Sequence, residues 1–139
     1  MVETILLPTD GSEHSRKALD HAVRLAQPLD ASIHALSIAS EYASGQRQDQ
    51  LRSDPEDEAR DALAEAEDAA QRANVEFTGA VREGVTHEEI LESVDAHDID
   101  MIVMGTHGRS GLKRALSGSV AEKTLRNSPV PVLAVPQSE

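Results

Sequence analysis

The sequence predicts a single α/β domain: a doubly wound parallel sheet of five strands with helices on both faces. Five short apolar runs are separated by four stretches of helical spacing, in the order β-α-β-α-β-α-β-α-β. The fourth run, "IDMIVMG", is apolar without alternation, as in a strand whose two faces are both covered by helices. A chain of 139 residues buries one core, and its crossovers between parallel strands are right-handed.

"TILLP", Thr4 to Pro8, is a short apolar strand that proline and "TDGS" end in a turn. Ser12 caps the helix that follows, in which Ala18, Leu19, Ala22, Val23 and Ala26 recur every three or four residues. "ASIHALSIA", Ala31 to Ala39, is the second strand, and the polar stretch Ser40 to Ser53 after it carries no pattern. Ser53 and Glu56 fit a capping box opening an alanine-rich helix over about Pro55 to Ala73, with Pro55 in its first turn. "VEFTGAVREG" is the third strand, with a break or bulge expected at Gly79. Thr86 with Glu89 forms a second capping box, and Ile90, Leu91 and Val94 face inward from the helix behind it. After the fourth strand comes a glycine-rich segment, a helix near Gly118 to Arg126, and a last strand "VPVLAV", Val130 to Val135.

Composition narrows the function. With no cysteine, neither disulfides nor cysteine-ligated metals are available. No apolar run reaches the roughly 20 residues that cross a bilayer. The opening "MVETILLPTDGS" reads as no export leader, so the expected location is the cytoplasm, with no membrane partner. A net charge of −12 argues against nucleic acid as a partner. An acid-rich chain whose lysines are Lys17, Lys113 and Lys123 alone has the surface expected of adaptation to high salt.

The charge is uneven. Within residues 105–126, Arg109, Lys113, Arg114, Lys123 and Arg126 face only Glu122, a local +4, so the rest of the chain carries −16. That positive segment, "MGTHGRSGLKRALSGSV", Met104 to Val120, holds four glycines. Its spacing is Gly105, two residues, Gly108, nine residues, then Gly118-Ser119. Glycine lets bare backbone N–H groups approach anionic oxygens, and a helix start favours an anion. Ser119 adds a hydroxyl donor. The segment therefore reads as a wrap for a phosphate chain. It is neither a P-loop nor a dinucleotide fingerprint, since G-x-x-x-x-G-K-[ST] is missing and no G-x-G-x-x-G follows the first strand. In open sheets of this type ligands bind outside the carboxyl ends of the strands. "PTDG" and "GTHG" both fall at that edge.

The spacing G-x2-G-x9-G-[ST], with "ILLPTDGS" and "SPVPVLAVP" at the two ends, resembles the universal stress protein family, in particular its ATP-binding branch. The resemblance covers nearly the whole chain. It implies a Rossmann-like, adenine-nucleotide α-hydrolase-like sheet of strand order 3-2-1-4-5. It further implies that Pro8, Thr9 and Asp10 lie against adenine and ribose and that Ile38 contacts the adenine. Met104 and Gly105 match the end of the family's fourth strand, and Gly108, Gly118, Ser119 and Val120 match the positions whose backbone or hydroxyl holds ribose and phosphates. Arg109, with Lys113 and Arg114, is read from its isolation in an acidic chain as screening phosphate charge, the alternative being solvated loop charges. The implied ligand is ATP, or AMP or another adenine nucleotide, with Mg²⁺ or Mn²⁺ carried mainly by the nucleotide and water. Relatives commonly pair through the last strand, which implies a homodimer through Val130 to Val135. Thr86 stands where many relatives have proline, and is expected to cap in its place.

Two other functions compete. Asp10 or His107 serves a slow ATPase or phosphotransferase in one; the other is a nucleotide-free interaction protein of the same fold. No residue is clearly placed to orient an attacking water, so hydrolysis is expected to be slow at most. His87 and His97 lack a third donor at ligand spacing, and no metal–protein site is expected. A phosphoacceptor receiver domain fits poorly, because the third strand ends "VREG" with no aspartate to phosphorylate.

Overall fold

The computed structural model describes residues 2–39, 55–106 and 115–136. Strands β1 (Thr4–Pro8), β2 (Ser32–Ala39), β3 (Phe77–Glu83), β4 (Met101–Gly105) and β5 (Val132–Val135) form one sheet of order β3-β2-β1-β4-β5. Every neighbouring pair is parallel. Helices α1 (Glu13–Leu29), α2 (Pro55–Arg72), α3 (Thr86–Ala96) and α4 (Ala115–Asn127) connect them. Order reverses between β1 and β4.

Alternation along each strand divides the core in two. Ile5, Leu7, Ile33, Ala35 and Val103 face the layer of α1 and α2, where Ala18, Ala22, Ala26, Ala66 and Ala70 are buried. Alanines at these helix positions let the two helices lie close on the sheet, while the strands supply the bulky side chains. Leu6, Leu36, Ile102 and Met104 face the other layer, with Ile90 and Val94 from α3 and Val120 and Ala121 from α4. Both faces of β1 and β4 are thus dry, which accounts for their unbroken apolar runs. At the amino end of the sheet the Asp100 carboxylate accepts hydrogen bonds from the backbone N–H groups of Glu3 (2.9 Å) and Thr4 (3.0 Å). These two bonds hold its pKa below the ordinary carboxylate value and tie the start of β1 to β4.

Four expectations need correction. Gly79 neither breaks nor bulges β3: the register runs from Ile33↔Phe77 to Ala39↔Glu83 without interruption. A Cβ at Gly79 would stand 3.3 Å from the Phe77 ring and 3.4 Å from Leu63 Cδ2, so these two side chains pack close over the glycine. Thr86 does not cap α3. Val85 occupies the N-cap with no side-chain hydrogen bond, Thr86 is the first helical residue, and Glu89 turns instead toward Arg82. Helix α4 begins at Ala115 rather than near Gly118, so Gly118 and Ser119 lie inside its opening turns. The last strand starts at Val132, because Val130 is held in a turn by Ser128, whose hydroxyl both accepts from its N–H and donates to its carbonyl. The expected cap Ser53 and the stretch Ser40 to Ser53 lie outside the described residues.

Candidate functional site

The loop after β1 is fixed by a chain of hydrogen bonds. Thr9 N–H donates to the Leu36 carbonyl (2.9 Å), and Ser37 Oγ donates to the Thr9 carbonyl (2.8 Å). Thr9 Oγ1 donates to Ser15 Oγ (3.1 Å), and Ser15 Oγ in turn donates to the Ser12 carbonyl (3.0 Å). Ser12 is the N-cap of α1, its side chain accepting from Ser15 N–H at 3.2 Å. Asp10 Oδ1 accepts from Ser12 N–H (2.9 Å), which closes an Asx turn. Gly11 sits at φ +81, where a side chain would be strained. Pro8, Thr9 and Asp10 are therefore held at the carboxyl end of β1 on a rigid support. Asp10 fills the turn-stabilising role that its residue type allows, whatever else it touches.

Next to this loop the sheet opens. Pairing between β1 and β2 continues to Pro8↔Leu36, whereas that between β1 and β4 is confined to Ile5↔Met101 and Leu6↔Ile102. The carboxyl ends of β1 and β4 leave the ladder at the point where strand order reverses, the usual place for a ligand in such sheets. Thr106 N–H bonds to the Val135 carbonyl at 3.1 Å, so the chain leaving Gly105 starts from this edge.

Three of the sequence-derived site residues converge here. Met104 belongs to the apolar cluster on the α3 and α4 face, with Ile38 and Val120 packed against it. Met104 is buried; Ile38 and Val120 remain partly accessible, as does Ser119. Gly105 pairs with Val135 at the end of β4. Gly108 and Arg109 lie outside the described residues, as do His107, Lys113 and Arg114.

A cleft of about 320 Å³ opens between α1 and α2 on the opposite face, lined by Asp10, Gly11, Ser12, Arg16, Glu58, Asp61, Ala62 and Glu65. Arg16 is engaged there by Glu65 at 2.6 Å. The four carboxylates leave this cleft hostile to a phosphate chain. Among the described residues, no three His, Asp or Glu side chains are grouped to hold a metal ion. No helix among them is long and apolar enough to cross a membrane.

Sequence reasoning missed three features near or under this edge. Ser37 anchors the Thr9 carbonyl from within a buried strand. Arg82 on β3 pairs in register with Ile38 and reaches Glu89 of α3 at 3.1 Å. His34 is buried below them and bonded to Thr78. A polar residue inside an apolar strand was the available signal for Ser37 and His34. Nothing in the spacing marked Arg82.

The strand order and the parting of β1 and β4 at the switch point define an open, doubly wound α/β sheet. The universal stress protein family model matches residues 1–136, and the chain belongs to that family. It is 34% identical over 140 residues to universal stress protein MJ0531 of Methanocaldococcus jannaschii, an alignment covering 97% of this chain and 82% of that protein. The solved structure of MJ0577 from the same organism superposes with a TM-score of 0.83 at 27% identity, covering 100% of this chain and 99% of that one. A universal stress protein in complex with cAMP superposes with a TM-score of 0.76 at 26% identity, covering 99% of each chain.

Proposed function

We propose that this protein binds an adenine nucleotide at the β1–β4 switch point and works as a nucleotide-responsive regulatory module in the cytoplasm. The observation that carries this reading is the convergence of Ile38, Met104 and Val120 on one apolar face beside the Pro8–Asp10 loop. A flat base needs such a surface, and backbone groups at the same edge select it. The relative that binds cAMP supports the choice of an adenine nucleotide. In this reading adenine lies between Ile38 and the loop, and the phosphates run over Gly105 to Ser119. Gly108 and Arg109 belong to that phosphate-facing stretch. Mg²⁺ or Mn²⁺ would be held by the nucleotide and water, supplying charge neutralisation for the phosphates. The protein's own part is to hold the nucleotide and exclude water from the base.

Mass spectrometry of the purified, gently denatured protein tests this most directly. An adenine nucleotide is expected to co-purify. Absence of any nucleotide, together with no heat of ATP binding in calorimetry, would leave the nucleotide-free interaction protein as the better account. Turnover of Asp10→Asn and His107→Ala distinguishes an enzyme: a hundredfold loss with binding intact would favour catalysis.

We further infer a two-fold dimer through β5. β5 is an edge strand, and an apolar edge with unpaired N–H and C=O groups needs cover. Val130, Val132 and Leu133 lie partly exposed along it, and Leu125 of α4 is 58% exposed. Two copies related by a two-fold axis would pair β5 with itself antiparallel. Repulsion between protomers of charge −12 makes the dimer tighter as salt rises. Light scattering across a KCl series is expected to show this, and a monomer throughout at micromolar concentration would refute it. Melting in the same series tests salt adaptation, which equal stability at low and multimolar KCl rejects.

A further inference from the structure

Beside Ile38 the sheet carries a charge that neither the core nor the turns require. Ile38 and Arg82 are register partners on β2 and β3, so they share a face. It is the face on which Leu36, Ala80 and Ile38 pack with α3. The Arg82 side chain is 40% exposed and lies 3.1 Å from Glu89 Oε1 and 3.7 Å from Glu92 Oε1 through the same terminal nitrogen. Glu89 is only 15% exposed. Its Oε1 is fully buried and has no aligned hydrogen-bond donor.

The carboxylate is held in place by backbone design. Gly84 ends the strand loop at φ +140, and a Cβ there would stand 2.5 Å from Glu89 Oε2. The positive φ is what favours glycine at this turn, over which Glu89 folds toward the guanidinium. The Arg82–Glu92 pair is exposed and contributes little to stability, whereas the Arg82–Glu89 pair is partly buried, so Arg82 also compensates a carboxylate drawn out of water. Two carboxylates engage one terminal nitrogen of Arg82 and hold the guanidinium on the α3 side of the sheet, the face that Ile38 shares.

We propose that Arg82 is a base-positioning residue. Its guanidinium, fixed by Glu89 and Glu92, stacks against the purine that Ile38 contacts and thereby helps to select an aromatic base. This rests on the adenine-nucleotide reading of the site. A guanidinium is planar and weakly hydrated, so it stacks on a π face in a way that an ammonium group does not. Glu89 and Gly84 act through Arg82 by holding it.

Calorimetry with ATP and with AMP, on the full chain and on Arg82→Met, Arg82→Lys and Glu89→Gln, tests the proposal. Arg82→Met is expected to weaken both nucleotides by about tenfold, and equally, because the base is common to them. Arg82→Lys keeps the charge and loses the plane, so it is expected to stay impaired. Glu89→Gln is expected to cost about threefold by loosening the guanidinium. Arg82→Met leaves the mostly buried Glu89 carboxylate unpaired and is expected to lower the thermal midpoint, so affinities are compared at a temperature where every variant is fully folded. Wild-type affinity in Arg82→Met would overturn the proposal while leaving the nucleotide reading intact. So would a loss larger for ATP than for AMP, which places Arg82 on the phosphates, or full recovery in Arg82→Lys. A parent protein that binds neither nucleotide overturns the nucleotide reading and this inference with it.

Discussion

Gly118→Val is expected to abolish nucleotide binding and leave the fold intact, and Gly118→Ala to weaken binding while raising stability. The two outcomes follow from where Gly118 lies. It is inside α4, in the opening turns, where the backbone is helical and any L residue can stand. Glycine in a helix interior costs roughly 0.5–1 kcal/mol relative to alanine. A glycine kept there at that cost has to supply something that a Cβ would remove. In the proposed site that is close approach of the phosphates to the helix backbone. Alanine therefore gains about 0.5–1 kcal/mol of stability and loses affinity. Valine forfeits most of the helical gain through its branched Cβ and fills the phosphate space completely. Ser119→Ala should cost less, about 0.5–1.5 kcal/mol, since one hydroxyl is lost and the backbone donors remain. Calorimetry with ATP and thermal denaturation of the same samples check all three. Unchanged ATP affinity in Gly118→Val would remove the phosphate role of this segment.

The architecture was legible because its signals are local. Strand and helix periods alternate, Ser12 stands three residues before the amide it caps, and both faces of β1 and β4 are written as unbroken apolar runs. Where one local signal had two physical uses, the wrong one was read. Glycine weakens a strand and so suggests a bulge at Gly79, but β3 keeps its register through it, with Phe77 and Leu63 packed close over the position. Thr86 and Glu89 have capping-box spacing, yet the helix starts one residue earlier than that box requires, with Val85 at the N-cap, and Glu89 turns to Arg82. The site was legible in part. Loop residues Pro8 to Asp10 and the glycine spacing show along the chain. That Ile38, Met104 and Val120 share one face, and that Ser37 steadies Thr9, depend on strand register, which no spacing within a single segment encodes.

Acid should destabilise this protein from just below neutral pH, before its carboxylates begin to titrate, and His34 is the cause. His34 lies in β2 with only 5% of its surface exposed. Its Nδ1 is 2.7 Å from Thr78 Oγ1, and its Nε2 is buried without a partner. Its ring lies against that of His97, with centroids 4.2 Å apart and planes tilted by 32°. Burial first, and the neighbouring His97 second, hold its pKa below the ordinary imidazole value of 6.5. In the tautomer whose Nδ1–H donates to Thr78, the neutral ring buries an acceptor lone pair at Nε2 that meets no donor. Protonation would instead bury an N–H with no acceptor and a charge beside a second imidazole. The unfolded chain meets neither obstacle and takes up its proton near pH 6.5. Between that value and the lower folded one, the unfolded state holds the extra proton, so stability is full above the window and falls as pH drops through it. Each proton withheld by the fold tilts stability by about 1.4 kcal/mol per pH unit. Urea denaturation at intervals from pH 8 to pH 5 measures the slope. Replacing both partners, His34→Leu with Thr78→Val, removes the titrating ring without leaving the hydroxyl unpaired. The double variant is expected to match the parent at pH 8 and to lose most of the decline toward pH 5. An undiminished decline in the double variant would show that the acid sensitivity originates elsewhere, and that the buried histidine does not set it.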